Sequence, residues 1–245
     1  AIRSLKEELK SLRAQMERES DLEKAAEIRY GRIPELDRRI EAAPRMKRLS
    51  LLLSLVMMAG FGPAHATTDA TTILIIRHGE KPAAGLGQLS CRGLNRSLAL
   101  PEVLIRRYGA PTALYAPNPA IQKADKGILY DYIRPLATIE PLAIRVGLPV
   151  HVQLGLKDVR PLAGELLTLG PGTVVVAWEH HLGEALARLL MSQAGGNPAE
   201  VSAWADDDFD SIFVIQLPPT GKPHQTVQFV HDHQGLDGQA DTCPP

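Results

Sequence analysis

Four consecutive residues, Arg77-His78-Gly79-Glu80, bring together side chains that suit phosphate chemistry. They directly follow the short apolar run 72–76, which is typical of a buried strand. Ligands of open α/β sheets bind beyond the carboxyl ends of the strands, so a site is expected at this junction. A histidine there can act as a nucleophile when one ring nitrogen is held and the other faces the substrate. The adjacent arginine can bind phosphate through two hydrogen bonds, and Gly79 allows the backbone to approach closely.

The rest of the chain after residue 67 alternates between apolar runs and helical patterns. Three helical segments are predicted, at 94–108, over most of 123–146, and at 183–194. Pro135 and Pro141 are expected to interrupt or cap the second of them. Strands are predicted at 72–76, 112–115, 150–153, 173–177, 211–216 and 226–230. This alternation predicts an α/β sheet with helices on both faces, a three-layer α/β/α sandwich, followed by an irregular tail from residue 235.

The order of these motifs, over residues 72–217, resembles the histidine phosphatase superfamily, whose fold is phosphoglycerate-mutase-like. Four elements carry the resemblance: the opening Arg77-His78-Gly79-Glu80, then Leu89-Ser90-Cys91-Arg92-Gly93, the segment 134–142, and the strand 174–180 that ends in a second histidine. Trp204 and the segment 208–212 are similar to a secreted branch of the superfamily. The resemblance assigns residues 67–245 to a histidine phosphatase domain.

The resemblance implies a role for each matched residue. His78 would attack phosphorus and become phosphohistidine, while Arg77, Arg134 and His180 would surround the phosphoryl oxygens. Phosphoryl transfer depends mainly on positioning and on stabilising the charge of the transition state. The alternative for Arg134 is a simple ion pair with Asp131 or Glu140.

The proton donor to the leaving group is not fixed by the sequence. Family members use Asp or Glu, and the two candidates are Asp158, in the loop region after the second arginine's helix, and Glu179, directly before His180. Another branch has Asp immediately after the second histidine, where this chain has His181. Water or the substrate itself is the remaining source. The function expected is therefore a phosphomonoesterase, and the alternative is a non-catalytic phosphate-binding module of the same fold.

No cofactor or metal is expected. His180-His181 is the nearest metal-ligand candidate, but adjacent residues on a regular strand point to opposite faces, which makes a poor chelate. His231 and His233, which flank Asp232, are interpreted as a polar strand end, and 206–208 as a solvated acidic loop.

The charge of the chain limits which classes of partner are expected. The formal net charge is −1, so bulk charge indicates no nucleic-acid partner. The basic residues near the first motif, Lys81, Arg92 and Arg96, are too few for a tight polyanion site. A small-molecule phosphoester or a phosphorylated protein side chain is the expected substrate.

Residues 1–45 are predicted to form a helical coiled-coil hairpin. Ile2, Leu5, Leu9, Leu12 and Met16 alternate steps of three and four, which is a coiled-coil spacing. The run 21–31 followed by Ile33-Pro34-Glu35-Leu36 resembles the middle coiled coil of ClpB-type disaggregases, without a nucleotide-binding loop. This segment is interpreted as a fusion, a misassigned start or an unusual gene joining.

Residues 46–66 are predicted to be a signal peptide. Met46-Lys47-Arg48 is a basic start, an apolar run follows, and Ala64-His65-Ala66 is a cleavage motif of small residues. The apolar run is shorter than the roughly 20 residues that span a bilayer, so stable membrane insertion is not expected. A periplasmic or secreted location follows, and in that oxidising compartment Cys91 and Cys243 are predicted to form a disulfide.

Overall fold

The structure, a computed structural model, describes residues 7, 10 and 11, 70–219 and 226–244. The chain divides into two compact units, Ala1–Pro63 and Ala64–Pro245. In the first unit, Glu7, Lys10 and Ser11 are helical and exposed. The predicted coiled coil otherwise lies outside the described residues, as does the predicted signal peptide, so both stay predictions.

The second unit alternates strands and helices. The described residues of this unit form eight strands: β1 Thr71–Arg77, β2 Ala113–Tyr115, β3 Gln122–Asp125, β4 Ile128–Asp131, β5 Val150–His151, β6 Gly172–Trp178, β7 Ser211–Leu217 and β8 Gln228–His233. The same residues form four α-helices, α1 Cys91–Tyr108, α2 Arg134–Val146, α3 Val159–Leu166 and α4 His180–Gln193, and a short 3₁₀ helix at Pro198–Glu200. None of the helices in the described part of the chain is long and apolar enough to cross a membrane.

Six strands form one sheet in the order β5-β2-β6-β1-β7-β8. The first four are parallel to one another, β7 is antiparallel to β1, and β8 is antiparallel to β7. The two central strands, β6 and β1, pair in register from Thr71 with Gly172 to Arg77 with Trp178. Their carboxyl ends therefore stop side by side, and the residues that follow, His78 and Glu179, are brought to the same edge of the sheet.

The alternation of side chains along the central strands divides the core in two. Ile73, Ile75, Val174 and Val176 face one side, where they pack with Leu162 and Leu166 of α3 and Leu186 and Leu190 of α4. Leu74, Ile76, Val175 and Ala177 face the other side, against Leu100 and Leu104 of α1 and Ile139 and Leu142 of α2. Both faces are buried, which is why these strands are continuously apolar, and the predicted three-layer α/β/α sandwich is confirmed.

The prediction of helix over most of 123–146 is wrong for its first part. Residues 122–131 form the separate hairpin β3–β4, and helix begins only at Arg134. Pro135 lies in the first turn of α2, where its missing N–H costs nothing, while the helix continues through Pro141. Helix α3, at Val159–Leu166, was not predicted.

Arg96 fastens the first motif to the C-terminal tail. Its guanidinium is fully buried and lies 2.8 Å from Glu80 Oε1, 3.1 Å from Asp210 Oδ1 and 2.8 Å from Asp237 Oδ1. Three carboxylates therefore occupy it, and Arg96 is not free to bind a ligand. The predicted disulfide between Cys91 and Cys243 is confirmed and holds the same tail against the start of α1.

Candidate active site

His78 lies at the end of β1 and is held in a single orientation. Its backbone N–H donates to the Trp178 carbonyl at 3.1 Å, and its ring Nδ1 lies 2.8 Å from the Gly79 carbonyl. Since a carbonyl only accepts, Nδ1 carries the proton and Nε2 keeps its lone pair. The residue is 3% exposed, and this burial, together with the charges of Arg134, Arg77 and Lys123, lowers its pKa to about 3. The ring is therefore neutral at physiological pH.

Two glycines allow the loop after His78 to lie against α1. A Cβ on Gly79 would be 2.8 Å from the Gly93 carbonyl oxygen, and one on Gly93 would be 2.3 Å from the Glu80 carbonyl oxygen. Ser90 caps α1 by accepting the Gly93 N–H. These contacts give a physical reason for the second motif, because any side chain at Gly93 would push the loop away.

Arg77 and Arg134 are both buried beside His78 and each is anchored through one Nη1 atom. Arg77 donates to the carbonyls of Asp206 and Asp208, at 2.8 Å each, and its guanidinium carbon lies 3.8 Å from the Phe209 ring centroid. Arg134 Nη1 donates to Asp125 Oδ2 at 2.6 Å. Arg134 is thus ion-paired, but with Asp125 and not with Asp131 or Glu140.

Lys123 is a third cation of the site and was missed from the sequence. It lies on β3, 35% of its side chain is exposed, and its Nζ is 3.8 Å from Glu179 Oε1. Burial lowers its pKa, although the Glu179 charge opposes this. Lys123 was missed because this segment was predicted to be helical, whereas it is the β3–β4 hairpin that places Lys123 at the site.

The ring of Tyr132 is the common neighbour of these groups. It lies edge-on to His78 with centroids 5.9 Å apart, and both Lys123 Nζ and the Arg134 guanidinium carbon are 5.0 Å from its centroid. Burial raises the pKa of Tyr132, so its hydroxyl stays protonated and can donate. Tyr132 was also missed from the sequence.

Glu179 caps α4 and is held as a carboxylate. Its Oε2 accepts the Leu182 N–H at 3.1 Å, and its Oε1 lies 3.1 Å from His180 Nδ1. Burial alone would raise the pKa of Glu179, but the His180 ring, the Leu182 N–H and the charge of Lys123 lower it to about 2. Glu179 is therefore ionised at neutral pH and has no proton to give.

Among the described residues, the Asp158 side chain makes no hydrogen bond or ion pair with this cluster. Its side chain is exposed and accepts the Gly155 N–H at 2.8 Å, ahead of α3. It lines a groove with Lys157, Leu182 and Leu189, and no other predicted catalytic residue lines that groove.

His180 and His181 do not sit on a strand, so the argument that they diverge is wrong. They are the first two residues of α4, and their ring centroids are 4.0 Å apart. His180 Nε2 lies 2.8 Å from Asp206 Oδ1, and His181 Nε2 lies 3.0 Å from the same oxygen.

Unpaired hydrogen-bonding atoms concentrate at the site. Five buried side-chain polar atoms among the described residues lack a hydrogen-bond partner, and four of them belong to this cluster: Arg77 Nε, Arg134 Nε, Tyr132 OH and His180 Nδ1. Native proteins rarely leave such groups unpaired, so each one calls for an explanation. Three cations and several free donors around one neutral imidazole suit an anionic ligand rich in acceptor oxygens.

Comparison with known proteins gives two separate likenesses. No protein-family model matches the chain. A 45-residue stretch, 17% of this chain, is 56% identical to the chaperone protein ClpB of Mycobacterium leprae and 53% identical to that of Mycobacterium tuberculosis. The chain spans 5% of the length of these curated relatives.

Solved structures with a similar fold match about two thirds of the chain. A protein named as phosphohistidine phosphatase SixA from Nakamurella multipartitia is 15% identical, with 67% of this chain and 96% of that chain covered, at a TM-score of 0.47. The phosphoglycerate mutase of Plasmodium falciparum is 12% identical, with coverages of 66% and 90% and a TM-score of 0.43. A phosphoserine phosphatase of Entamoeba histolytica is 11% identical, with coverages of 68% and 98% and a TM-score of 0.40.

Proposed function

We propose that the second unit is a phosphate-ester hydrolase that works through a phosphohistidine at His78. One observation carries the proposal: Nδ1 of His78 is bound to the Gly79 carbonyl, which leaves a neutral Nε2 among Arg77, Lys123 and Arg134. A general ligand pocket needs no such arrangement. A nucleophile that must attack an anion needs both a free lone pair and fixed positive charge around it.

The reaction proceeds in two displacements. His78 Nε2 forms a bond to phosphorus, and the bond between phosphorus and the ester oxygen breaks with its electron pair going to that oxygen. Water then attacks the phosphohistidine, releasing phosphate and restoring the imidazole. In both steps Arg77, Arg134 and Lys123 stabilise the negative charge on the phosphoryl oxygens, and the hydroxyl of Tyr132 and Nε2 of His180 are further donors.

The ionised Glu179 narrows the choice of proton source. With a pKa of about 2, it is suited to accept a proton from the attacking water in the second step, not to supply one in the first. The leaving oxygen then takes its proton from solvent or from the phosphoryl group, whose second pKa is about 6. Esters with acidic leaving groups, such as aryl phosphates, are the favoured substrates on this argument.

Trapping of the covalent enzyme tests the proposal. The wild-type chain should hydrolyse an aryl phosphate and form a phosphoenzyme that is labile in acid and stable in base. His78→Ala should lower the rate by several orders of magnitude and remove the label, since the covalent route is lost while the cations remain. Measurements are phosphate release and radiolabel retention after rapid quench.

The rival, a phosphate-binding module without turnover, predicts a different result. It expects phosphate binding by calorimetry with no hydrolysis of any ester and no label on the wild-type chain. Full activity of His78→Ala would reject the proposed nucleophile outright.

A further inference from the structure

Three metal-ligating side chains meet at the start of α4, and only one of them serves the reaction above. They are His180, His181 and Asp206, whose ligand atoms all lie within 4.8 Å of one another. We propose that this trio binds a divalent transition-metal ion, Zn²⁺ by preference, and that the bound ion inhibits the hydrolase by occupying His180. The binding site stands on geometry alone, whereas the inhibition rests on the proposed function.

The donor set defines the class of ion. Two imidazole nitrogens and one carboxylate oxygen are a typical ligand set for Zn²⁺ and neighbouring first-row metals. Ca²⁺ and Mg²⁺ prefer oxygen ligands throughout, so they fit poorly. Three protein ligands leave at least one coordination position for water or an anion.

The ligand atoms of the trio are close enough together to share one ion. Asp206 Oδ1 faces two imidazole nitrogens, at 2.8 Å from His180 Nε2 and 3.0 Å from His181 Nε2. The other nitrogen of His180, Nδ1, is buried without an aligned partner and lies 3.1 Å from Glu179 Oε1. Nε2 donates its proton to the Asp206 carboxylate, and a metal ion bound between the two ligand atoms would take the place of that proton. A carboxylate behind a ligating histidine is also the arrangement that orients such ligands in metal sites.

The charges beside the trio are mixed. Glu179 and Asp206 supply two formal negative charges, against about half a unit of positive charge at the helix end and the nearby cations Lys123 and Arg77. The backbone of Asp206 is fixed, because its carbonyl accepts from Arg77 Nη1 at 2.8 Å. The side chains of His181 and Asp206 are 62% and 84% exposed, so an ion can reach them from solvent.

A metal ion bound to the trio would inhibit the hydrolase because it would coordinate Nε2 of His180. Nε2 of His180 donates to the exposed Asp206 carboxylate, and a phosphoryl oxygen can take the place of that acceptor. Coordination removes that donor, so turnover falls while His78 and its cations stay in place. His181 takes no part in the reaction, which allows the metal site to be removed without touching the catalytic residues.

Calorimetric titration of the full chain with ZnCl₂ tests the site directly. Wild type should bind one Zn²⁺, and His181→Ala should weaken that binding by at least about tenfold. Asp206→Asn should weaken Zn²⁺ binding similarly. Because two ligands are replaced separately, a folding defect in one variant does not decide the result. His233→Ala, which removes another exposed histidine outside the trio, is the matched control and should bind as wild type does. Absence of binding, or binding equal in wild type and both ligand variants, would overturn the site.

Aryl phosphate hydrolysis, with and without ZnCl₂, tests the consequence. Zn²⁺ should inhibit wild type and His233→Ala, EDTA should restore their rate, and His181→Ala should keep its metal-free rate when Zn²⁺ is added. Binding without loss of rate, or with acceleration, would overturn the inhibition. If no variant hydrolyses any ester, the proposed function fails, while the titration still decides the metal site.

Discussion

Burial of His78 as a neutral base links its chemistry to the stability of the fold. An ordinary histidine has a pKa of 6.5, and burial beside Arg134, Arg77 and Lys123 lowers that of His78 to about 3. Below pH 6.5 the unfolded chain gains a proton on this residue, while the folded domain does not until near pH 3. The depressed pKa therefore makes the domain less stable as the pH falls through this window.

We expect His78→Gln to reduce this pH dependence. The free energy of unfolding of wild type should drop between about pH 7 and pH 5, and the variant should lose less over the same interval. Urea unfolding followed by tryptophan fluorescence measures both. His231, whose pKa is also lowered by burial, contributes the same slope to both proteins, so the difference between them reports His78. Equal slopes would contradict a neutral, buried His78.

Glu179 can act either as a general acid toward the leaving group or as a general base toward water. An ionised Glu179 should accept a proton from the water that attacks the phosphohistidine. Glu179→Gln is therefore expected to slow the hydrolysis of an aryl and of an alkyl phosphate by similar factors and to increase the amount of phosphoenzyme at steady state. The amide oxygen can still accept the Leu182 N–H, which preserves the helix cap. Quench-flow measurement of the phosphoenzyme, with Asp158→Asn as the matched control, provides the test.

A much larger loss with the alkyl ester would show instead that Glu179 is the general acid. A large loss in Asp158→Asn would return that role to Asp158.

At the scale of elements, the sheet was predictable and the hairpin was not. Strands β1 and β6 are buried on both faces, so each is a continuous apolar run that stands out in the sequence. The short strands β3 and β4, QKAD and ILYD, add no buried apolar face to the core, because Ile128 and Leu129 are 57% and 61% exposed. One residue in the sequence does indicate the hairpin: Gly127, because glycine is common in two-residue turns. In the structure both Lys126 and Gly127 have positive φ, as such a turn requires.

The same reasoning explains which parts of the site were found. Arg77, His78, Glu179 and His180 end two central strands, and the register of those strands places them together. Lys123 and Tyr132 depend on the path of the hairpin, which strand and helix periodicity does not encode.

Removal of Lys123 tests whether the hairpin contributes to the site. Lys123→Ala should lower kcat/KM for an aryl phosphate by about tenfold, a smaller loss than for a buried donor because a third of this side chain is exposed. The matched control is Lys126→Asn, an exposed position at the turn of the same hairpin where Asn tolerates positive φ. Equal activity in both variants would show that the hairpin only covers the site.

At the scale of the whole molecule, a covalent bond and an ion network hold the C-terminal tail to α1 and to Glu80 of the first motif. The disulfide joins residues 152 apart, and Arg92 and Asn95 bind the tail beside it through Asp241 and the carbonyls of Ala240 and Thr242. Through Arg96, the tail residue Asp237 also shares a partner with Glu80 of the first motif. Loss of the bond should therefore reduce stability and loosen the loop that follows His78.

Replacement of both cysteines by serine is the last test, and it bears on location as well. The double variant should lose roughly 3–5 kcal/mol of unfolding free energy, because the bond restricts a long loop of the unfolded chain.

A disulfide of this kind persists in oxidising compartments, which supports our proposal that the domain is exported. A chain beginning at Met46 should accordingly appear outside the cytoplasm with Thr67 as its new N-terminus and no titratable thiol. Free thiols in the native exported protein would reject the bond, and an uncleaved cytoplasmic product with two thiols would reject export and bond together.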